Sequence, residues 1–385
     1  MQEKTATGLG LQRMLVGVAL AGLIGTIGCG NFFTKDTGTG TGTGGGSGSG
    51  PSSGVNRAYV LASTAKTISG FTIGTGTLTA VPGNAQFDPS APQAAVITPN
   101  GRFLYAAGPG TINVYMVASD GSLSLGSAVY IATVVSLAIS PDGQWMFGLD
   151  TLNQVLDEWQ ISSDGTLNTL TPVSYTTGGG IFAPRALTIS PSGGLIFAVL
   201  GTAGEAGFTL NTTTGLAVQT QTLKPIDSQT SDSAVAVNAG STLLYLARSG
   251  TSGGLSVYTI GANGAISPTA GSPYAVGAGA SSVALEGTGK YVYVANRSDS
   301  TISGFLIGTA GALTAVTGSP FAAGSQISSL GIDITGAYLV GAALGGGPDL
   351  ALYSFDTTVP GKLNSTATAS VGTSSPGASL VILTR

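Results

Sequence analysis

The sequence lacks histidine, contains one cysteine, and has few charged residues, 8% in total. Without histidine, the chain has neither the commonest general base nor the commonest metal ligand, which argues against a Ser-His-Asp triad and a zinc site. With Cys29 alone, no intrachain disulfide can form. The net charge is −4 and no basic run is present, whereas nucleic-acid binding requires clustered lysine and arginine. We therefore expect no nucleic-acid partner and no metal held by histidine or cysteine.

Glycine and apolar residues are abundant instead. The 385 residues include 62 glycines, and 42% of the chain is hydrophobic. That hydrophobic fraction is enough to bury a sizeable core, which disfavours general disorder. Ser, Thr, Asn and Gly must then supply most of the polar surface.

The first 28 residues have the pattern of an export signal. Lys4 and Arg13 precede the apolar run Met14–Gly28, which is followed at once by Cys29. The run of 15 residues is shorter than the roughly 20 that cross a bilayer. A lone cysteine directly after such a run resembles the bacterial lipobox, in which the thiol is lipidated and the chain is cut before it. We expect residues 1–28 to be a lipoprotein-type signal peptide, Cys29 to be lipidated, and the protein to be exported and anchored to a membrane, periplasmic or at the cell surface. An ordinary signal peptide or an uncleaved anchor are the alternatives.

A low-complexity stretch follows the cysteine. It reads DTGTGTGTGGGSGSGPSSG over residues 36–54 and has almost no side chains to pack. Such a composition is typical of a flexible linker. Residues 29–54 are therefore predicted to be the lipidated cysteine and a tether that holds a folded domain away from the membrane.

One pattern recurs through the rest of the chain. An apolar run ends in a tight polar turn, and a second apolar, aromatic-rich run follows. The turns begin at positions 98, 140, 190, 238, 286 and 333, at spacings of 42, 50, 48, 48 and 47 residues. A period of 40–50 residues with no helical signal predicts the blades of a β-propeller. Each repeat continues with two more strand-like stretches, which gives four strands per blade, A to D.

The two ends of the repeat region complement each other. It opens with NRAYVLAS at 56–63, a strand B without a strand A, and closes with SLVILT at 379–384, a strand A with nothing after it. Together they complete a seventh blade. We predict an all-β, seven-bladed propeller over residues 55–385, with four-stranded antiparallel blades and a ring closed by the C-terminal strand A joining the N-terminal strands B–D.

These repeats resemble a known family. Turns such as Ser140-Pro141-Asp142-Gly143, strands such as YVYVAN at 291–296, and the Gly-Ser-Pro-aromatic-Ala element at 271–275 and 318–322 are similar to those of the lactonase-like, or YVTN-type, seven-bladed propellers. The resemblance covers residues 55–385. It implies the fold, whereas activity must be argued from the site itself.

The resemblance also implies where an active site would lie. The lactonase branch opens sugar lactones such as 6-phosphogluconolactone and carries Gly-Pro-Arg-His just before a strand A, with a glutamate soon after the next strand B. The matching stretch here is Ala183-Pro184-Arg185-Ala186, so the arginine is present and the histidine is replaced. The expected Asn-Glu reads Leu200-Gly201, and Glu205 lies four positions later. Arginine stays protonated, so Arg185 could hold an oxyanion but could not act as the base.

The topology predicts a polar rim. If the A–B turns lie on one side of the ring, here called face 1, then the D–A and B–C connections lie on the other, face 2. Face 2 should then carry several of the chain's few charges, which makes it the candidate ligand face. The alternative is that these charges have no function and lie there because the loops are the solvent-exposed part of a propeller. The face-2 candidates are Arg185, Asp232, Arg248, Arg297, Asp299 and Asp150.

Two functions follow from these observations. The first is a binding or interaction module at the cell envelope that lacks the family's catalytic set, monomeric, with a small polar ligand or a protein partner on one face. The second is a lactone hydrolase in which Arg185 is the anchor and Asp232 or Glu205 the base. The sequence predicts no cofactor and no catalytic residue beyond Arg185, while a calcium ion held by loop oxygens stays open.

Overall fold

The computed structural model describes residues 28–29, 55–131, 133–224, 227–372 and 377–384. The predicted signal peptide and tether therefore lie outside the described residues, except for the backbone of Gly28–Cys29. This two-residue strand pairs in parallel with the strand Thr230–Val237, with Cys29 opposite Val235. Lipidation of Cys29 stays a prediction. Within the described ranges, no helix is long and apolar enough to cross a membrane.

Seven antiparallel blades form the ring, which confirms the predicted fold. From blade 1 to blade 7, the innermost strands A are Leu380–Leu383, Ala94–Ile97, Val134–Ile139, Phe182–Ile189, Thr230–Val237, Ala280–Leu285 and Ile327–Ile332. Strands B are Arg57–Ala62, Phe103–Gly108, Trp145–Asp150, Leu195–Gly201, Leu243–Gly250, Tyr291–Asn296 and Tyr338–Ala343.

The outer half of each blade consists of strands C and D. Strands C are Thr67–Gly74, Thr111–Val117, Val155–Ile161, Glu205–Leu210, Gly254–Ile260, Thr301–Ile307 and Leu350–Phe355. Strands D are Thr77–Ala80, Leu123–Tyr130, Leu167–Thr169, Ala217–Leu223, Ile266–Pro268, Leu313–Ala315 and Leu363–Ala369. Three two-residue strands pair with strands C, namely Gln86–Phe87, Val173–Ser174 and Phe321–Ala322, and two 3₁₀ turns span Ala262–Gly264 and Thr309–Gly311.

The ring closes as the sequence predicts. The C-terminal strand Leu380–Leu383 pairs antiparallel with Arg57–Ala62, placing Leu380 opposite Leu61 and Leu383 opposite Ala58. Blades 4 and 5 are also joined through a pair between Gly201 and Asp232. The two chain ends of the propeller thus lie side by side in blade 1.

Burial explains the composition of the inner strands. Strands B of blades 1, 2 and 3 are buried at every position because each blade packs against a neighbour on both sides. Such strands read as continuous apolar runs rather than as alternating patterns. The outer strand Ala217–Leu223, with one side facing solvent, alternates between more and less exposed residues.

Serine side chains connect neighbouring strands A around the channel. The Ser136 hydroxyl accepts the Leu187 N–H at 3.0 Å, and the Ser282 hydroxyl accepts the Leu330 N–H at 3.0 Å. The Ser281 hydroxyl donates to the Ile327 carbonyl at 3.2 Å. A small hydroxyl fits where strands converge, so the polar residues at the ring centre are structural.

In blades 1, 2, 3 and 6, an aromatic side chain of strand B links the blade to the C–D turn of the next. Tyr59, Tyr105 and Tyr293 donate their hydroxyl hydrogens to the carbonyls of Gly121, Gly165 and Gly361, at 2.9, 2.8 and 2.7 Å. In blade 3, the Trp145 indole N–H does the same to the Thr212 carbonyl at 2.9 Å. These hydrogen bonds therefore fix the position of one blade relative to the next.

Candidate functional site

Strand pairing places the predicted candidates at the face-2 ends of their strands. Asp150 and Arg248, near the ends of strands B, lie opposite Val134 and Asp232, near the starts of strands A. Arg297 directly follows the strand B that ends at Asn296. The candidates share a rim, but their environments differ.

Arg185 lies in an irregular segment at the start of strand A of blade 4. Phe182 pairs with Gly201 and Ala186 pairs with Val199, so three residues, Arg185 among them, stand opposite one. Such bulges redirect a side chain out of the regular pleat. Gly201 adopts φ +69°, and a Cβ there would come within 2.9 Å of the Ala183 carbonyl oxygen. Glycine at 201 therefore permits the close approach that shapes the bulge.

The Arg185 guanidinium has no anionic partner. It is half-buried, and the part of the chain that the structure describes gives it neither an ion pair nor a side-chain hydrogen bond. Burial lowers its pKa below the ordinary value, which shows that the charge has lost part of its hydration. A partly desolvated cation without a counter-ion attracts an anion.

Arg297 of blade 6 lies in the same electrostatic environment. Burial lowers its pKa, and repulsion from Arg185 lowers it further. Both arginines lie on the face-2 rim, and neither is in an ion pair within the described ranges. Asp299 is exposed and its carboxylate accepts the Ala278 N–H at 2.6 Å, so it does not neutralise Arg297. The pair forms a local excess of positive charge, called here the arginine pair.

Arg248 is buried in an internal ion pair. Its Nε donates to Asp232 Oδ1 at 2.6 Å, and its Nη1 donates to Ser256 Oγ at 3.0 Å and to the Tyr258 hydroxyl at 2.9 Å. Asp232 is 0% and Arg248 2% exposed. Burial raises the Asp232 pKa although Arg248 opposes the shift, and Asp232 and Tyr258 together outweigh burial and raise the Arg248 pKa.

Glu205 belongs to the same buried cluster. It is 0% exposed, and neither carboxyl oxygen has a hydrogen-bond partner among the described residues. Burial, followed by repulsion from Asp232, raises its pKa to about 8, so the carboxyl is largely protonated at neutral pH. A general base must come within hydrogen-bond distance of the ligand on which it acts. Glu205 and Asp232 are enclosed in the protein, so neither is placed to act as the base for a ligand at Arg185.

Asp150 is also structural. One of its oxygens accepts the N–H groups of Leu152 and Asn153, at 2.6 and 3.0 Å, and the other accepts the Asn153 side-chain amide at 2.6 Å. It is 1% exposed and holds the B–C loop of blade 3. The burial of three of the six predicted candidates corrects the predicted ligand face. Asp150, Asp232 and Arg248 serve internal contacts, and Arg185, Arg297 and Asp299 remain available.

The sequence reasoning missed Asp157. This residue of strand C in blade 3 is partly exposed, one carboxyl oxygen is buried without a partner, and burial together with repulsion from Asp150 raises its pKa to about 7. Among the described residues, Asp157 alone combines partial exposure with a raised carboxyl pKa. The signal was present in the stretch QVLDEWQ at 154–160, where two acidic residues interrupt a strand.

Side-chain donors for a metal are not grouped anywhere in the described ranges: no three His, Cys, Asp or Glu residues are arranged to hold an ion. Arg185 and Arg297 are the two rim arginines without an ion pair among the described residues. A family model described as "Lactonase, 7-bladed beta-propeller" matches residues 203–345. The chain is a seven-bladed β-propeller, and residues 203–345 are similar to the lactonase family of such propellers.

Solved structures show the same architecture. A candidate 6-phosphogluconolactonase of Bacteroides uniformis superposes with a TM-score of 0.72 at 18% identity, covering 86% of this chain and 99% of its own. The periplasmic gluconolactonase PpgL of Pseudomonas aeruginosa gives 0.66 at 16% identity, covering 86% and 99%. No curated relative matches the sequence. At these identities the similarity establishes the fold, so the site must be judged from its own residues.

At the key position, this lactonase-like propeller departs from the pattern that the resemblance implied. Ala186 is fully buried and packs with Val199 and Val235 between blades 4 and 5. The residue that would be the family's histidine is here part of the hydrophobic core. Arg185 is the family position that is present and accessible.

Proposed function

We propose that this protein binds an anionic, sugar-derived ligand at the face-2 mouth of the channel, through Arg185 and Arg297. The observation that carries the proposal is the arginine pair: two half-buried guanidiniums on one rim that have no counter-ion within the described residues. Aldonates and phosphorylated sugar acids supply the planar or tetrahedral anion that arginine binds well. The lactonase-like fold supports a sugar acid or its lactone as the class of ligand.

The proposed role is binding rather than turnover. The family's histidine is replaced by Ala186, and the two carboxyl groups considered as bases, Glu205 and Asp232, are 0% exposed. We further propose that the protein acts at the cell envelope after export, held by a lipid on Cys29. The signal-peptide pattern that the sequence predicts for residues 1–28 supports that location.

Isothermal titration of the full chain tests the binding. We expect gluconate and 6-phosphogluconate to bind, and neutral glucose to bind far more weakly. Arg185→Gln and Arg297→Gln should each weaken binding by about tenfold or more, since a hydrogen bond to a charged group contributes roughly 1.5–3 kcal/mol. Arg102→Gln is the matched control, because this exposed arginine lies in an A–B turn on face 1. Equal affinities in all three variants would refute the proposal.

Lactone hydrolysis is the second candidate, favoured by the family match and by Asp157. A carboxyl with a pKa of about 7 can accept a proton at neutral pH. A pH-stat assay with gluconolactone and acyl-homoserine lactones, beside Arg185→Gln and Asp157→Asn, decides between the two functions. Turnover lost in both variants establishes an enzyme. If turnover by the unchanged protein equals the background rate, binding is the only one of the two functions that remains.

A further inference from the structure

The most exposed large apolar side chains of the described residues are gathered on face 2. Tyr130, Ile181 and Leu152 are 88, 77 and 75% exposed. Tyr130 ends strand D of blade 2 opposite Thr111, the first residue of strand C, which places it on face 2. Leu152 lies in the B–C loop of blade 3, and Ile181 lies in the D–A connection that leads to Arg185.

Hydrogen bonds connect the chain segments that carry these three side chains, which are together called here the apolar strip. The carbonyl of Thr133, three residues after Tyr130, accepts the backbone N–H of Thr151 at 3.0 Å, next to Leu152. Gln154, at the end of the same loop, donates through its side-chain amide to the Tyr175 carbonyl at 3.4 Å. The chain then runs from Tyr175 past Ile181 to Arg185.

The segment that carries Ile181 leads along the chain to Arg185. Ile181 is four residues from Arg185, which limits their Cα separation to roughly 14 Å. The Ile181 backbone is fixed on blade 4, since its N–H donates to Thr202 Oγ1 at 3.0 Å and its carbonyl accepts the Thr202 hydroxyl at 3.1 Å. An exposed apolar side chain therefore lies a short chain distance from a partly desolvated positive charge, on the same face of the ring.

We infer that the ligand is an amphiphilic anion, with its acidic head on Arg185 and Arg297 and a single alkyl or acyl chain along Ile181, Leu152 and Tyr130. This inference rests on the proposed anion site and specifies the class of ligand. The charge determines the head group, and the exposed apolar strip determines the tail. A ligand of this kind covers the side chains that otherwise remain in water.

A homologous series of alkyl carboxylates tests the inference. Butanoate, hexanoate, octanoate and decanoate are titrated as monomers into the full chain. Each methylene that leaves water should tighten binding by about fourfold if fully buried, and by about twofold on an open strip. The double variant Ile181→Ser/Leu152→Ser should flatten this series, with its smallest effect on butanoate and its largest on decanoate.

Controls separate the strip from general apolar binding. Val218→Ser removes an equally prominent apolar side chain, 62% exposed, from the outer strand D of blade 4 and should leave the series unchanged. Arg185→Gln should weaken every member of the series by a similar factor. A series as steep in the double variant as in the unchanged protein would overturn the assignment of the tail.

The outcomes also distinguish the inference from the proposed function. Gluconate binding that depends on Arg185, with no gain along the alkyl series, overturns the amphiphile and leaves the anion site intact. Failure of both gluconate and butanoate to bind overturns the proposed function itself. Binding to anionic phosphatidylglycerol vesicles without binding of monomeric decanoate would show a membrane surface instead and would also overturn the inference.

Discussion

Three arginines on the face-2 rim show how environment determines the role of one residue type. Arg248 is enclosed with Asp232, Ser256 and Tyr258 and serves stability, whereas Arg185 and Arg297 have no such partner among the residues that the structure describes. The sequence could place all three on the rim from strand order alone. It could not separate them, because the Arg248–Asp232 contact depends on the register between strands A and B of blade 5.

Removing Arg248 tests its structural role. Arg248→Met leaves the Asp232 carboxylate buried without its cation, and we expect a loss of about 3–5 kcal/mol in the free energy of unfolding. Adding Asp232→Asn should recover much of that loss, because the unpaired charge is removed as well. Urea unfolding measures both variants. A single variant as stable as the unchanged protein would contradict the assignment.

Glu205 makes stability depend on pH. The folded protein holds the Glu205 proton up to a pKa of about 8, whereas the unfolded chain releases it near its ordinary value of 4.5. The unfolded state therefore binds fewer protons between these values, and stability falls as pH rises through this window. Glu205→Gln removes that contribution.

Urea unfolding across pH checks this prediction. The unfolding free energy of the unchanged protein should fall more steeply than that of Glu205→Gln between about pH 4.5 and 8. The carboxyl pKa values of Asp157 and Glu158 are also raised, to about 7, so these residues also make stability fall as pH rises. The contribution of Glu205 is therefore the difference between the curves of the unchanged protein and of Glu205→Gln. Parallel curves throughout the window would contradict the assignment to Glu205.

At the scale of elements, the inner strands were predictable because they are continuous apolar runs bounded by turn residues. The bulge before Arg185 was not, since it depends on how Gly201 and the Ala183 carbonyl approach each other in the folded blade. The environment of Asp157 was also beyond the sequence, because its pKa depends on burial and on Asp150 from another strand.

The inter-blade tyrosines allow a matched test at this scale. Tyr105→Phe removes the hydrogen bond to the Gly165 carbonyl and should cost about 1 kcal/mol of stability. Tyr245 occupies the corresponding strand in blade 5, but its buried hydroxyl has no partner among the described residues, so Tyr245→Phe should cost nothing or stabilise the protein. Thermal unfolding compares them. Equal losses in the two variants would show that the hydroxyl contacts do not determine blade packing.

The whole molecule follows from the repeat more directly than from any single strand. A period of 40–50 residues, together with an unpaired strand B at one end and an unpaired strand A at the other, predicts a closed ring, and the pairing of Leu380–Leu383 with Arg57–Ala62 confirms it. Closure brings the seven face-2 rims around one channel. This closure brings Arg185 of blade 4 and Arg297 of blade 6 into electrostatic contact although 112 residues separate them in the sequence.

The central claim is that this mouth holds an anion between two arginines. A crystal structure of the protein with gluconate tests it most directly. We expect the carboxylate to lie within hydrogen-bond distance of both the Arg185 and Arg297 guanidiniums, with the sugar chain over the channel mouth. Gluconate bound elsewhere, or a mouth in which the two arginines contact only protein groups, would contradict the account.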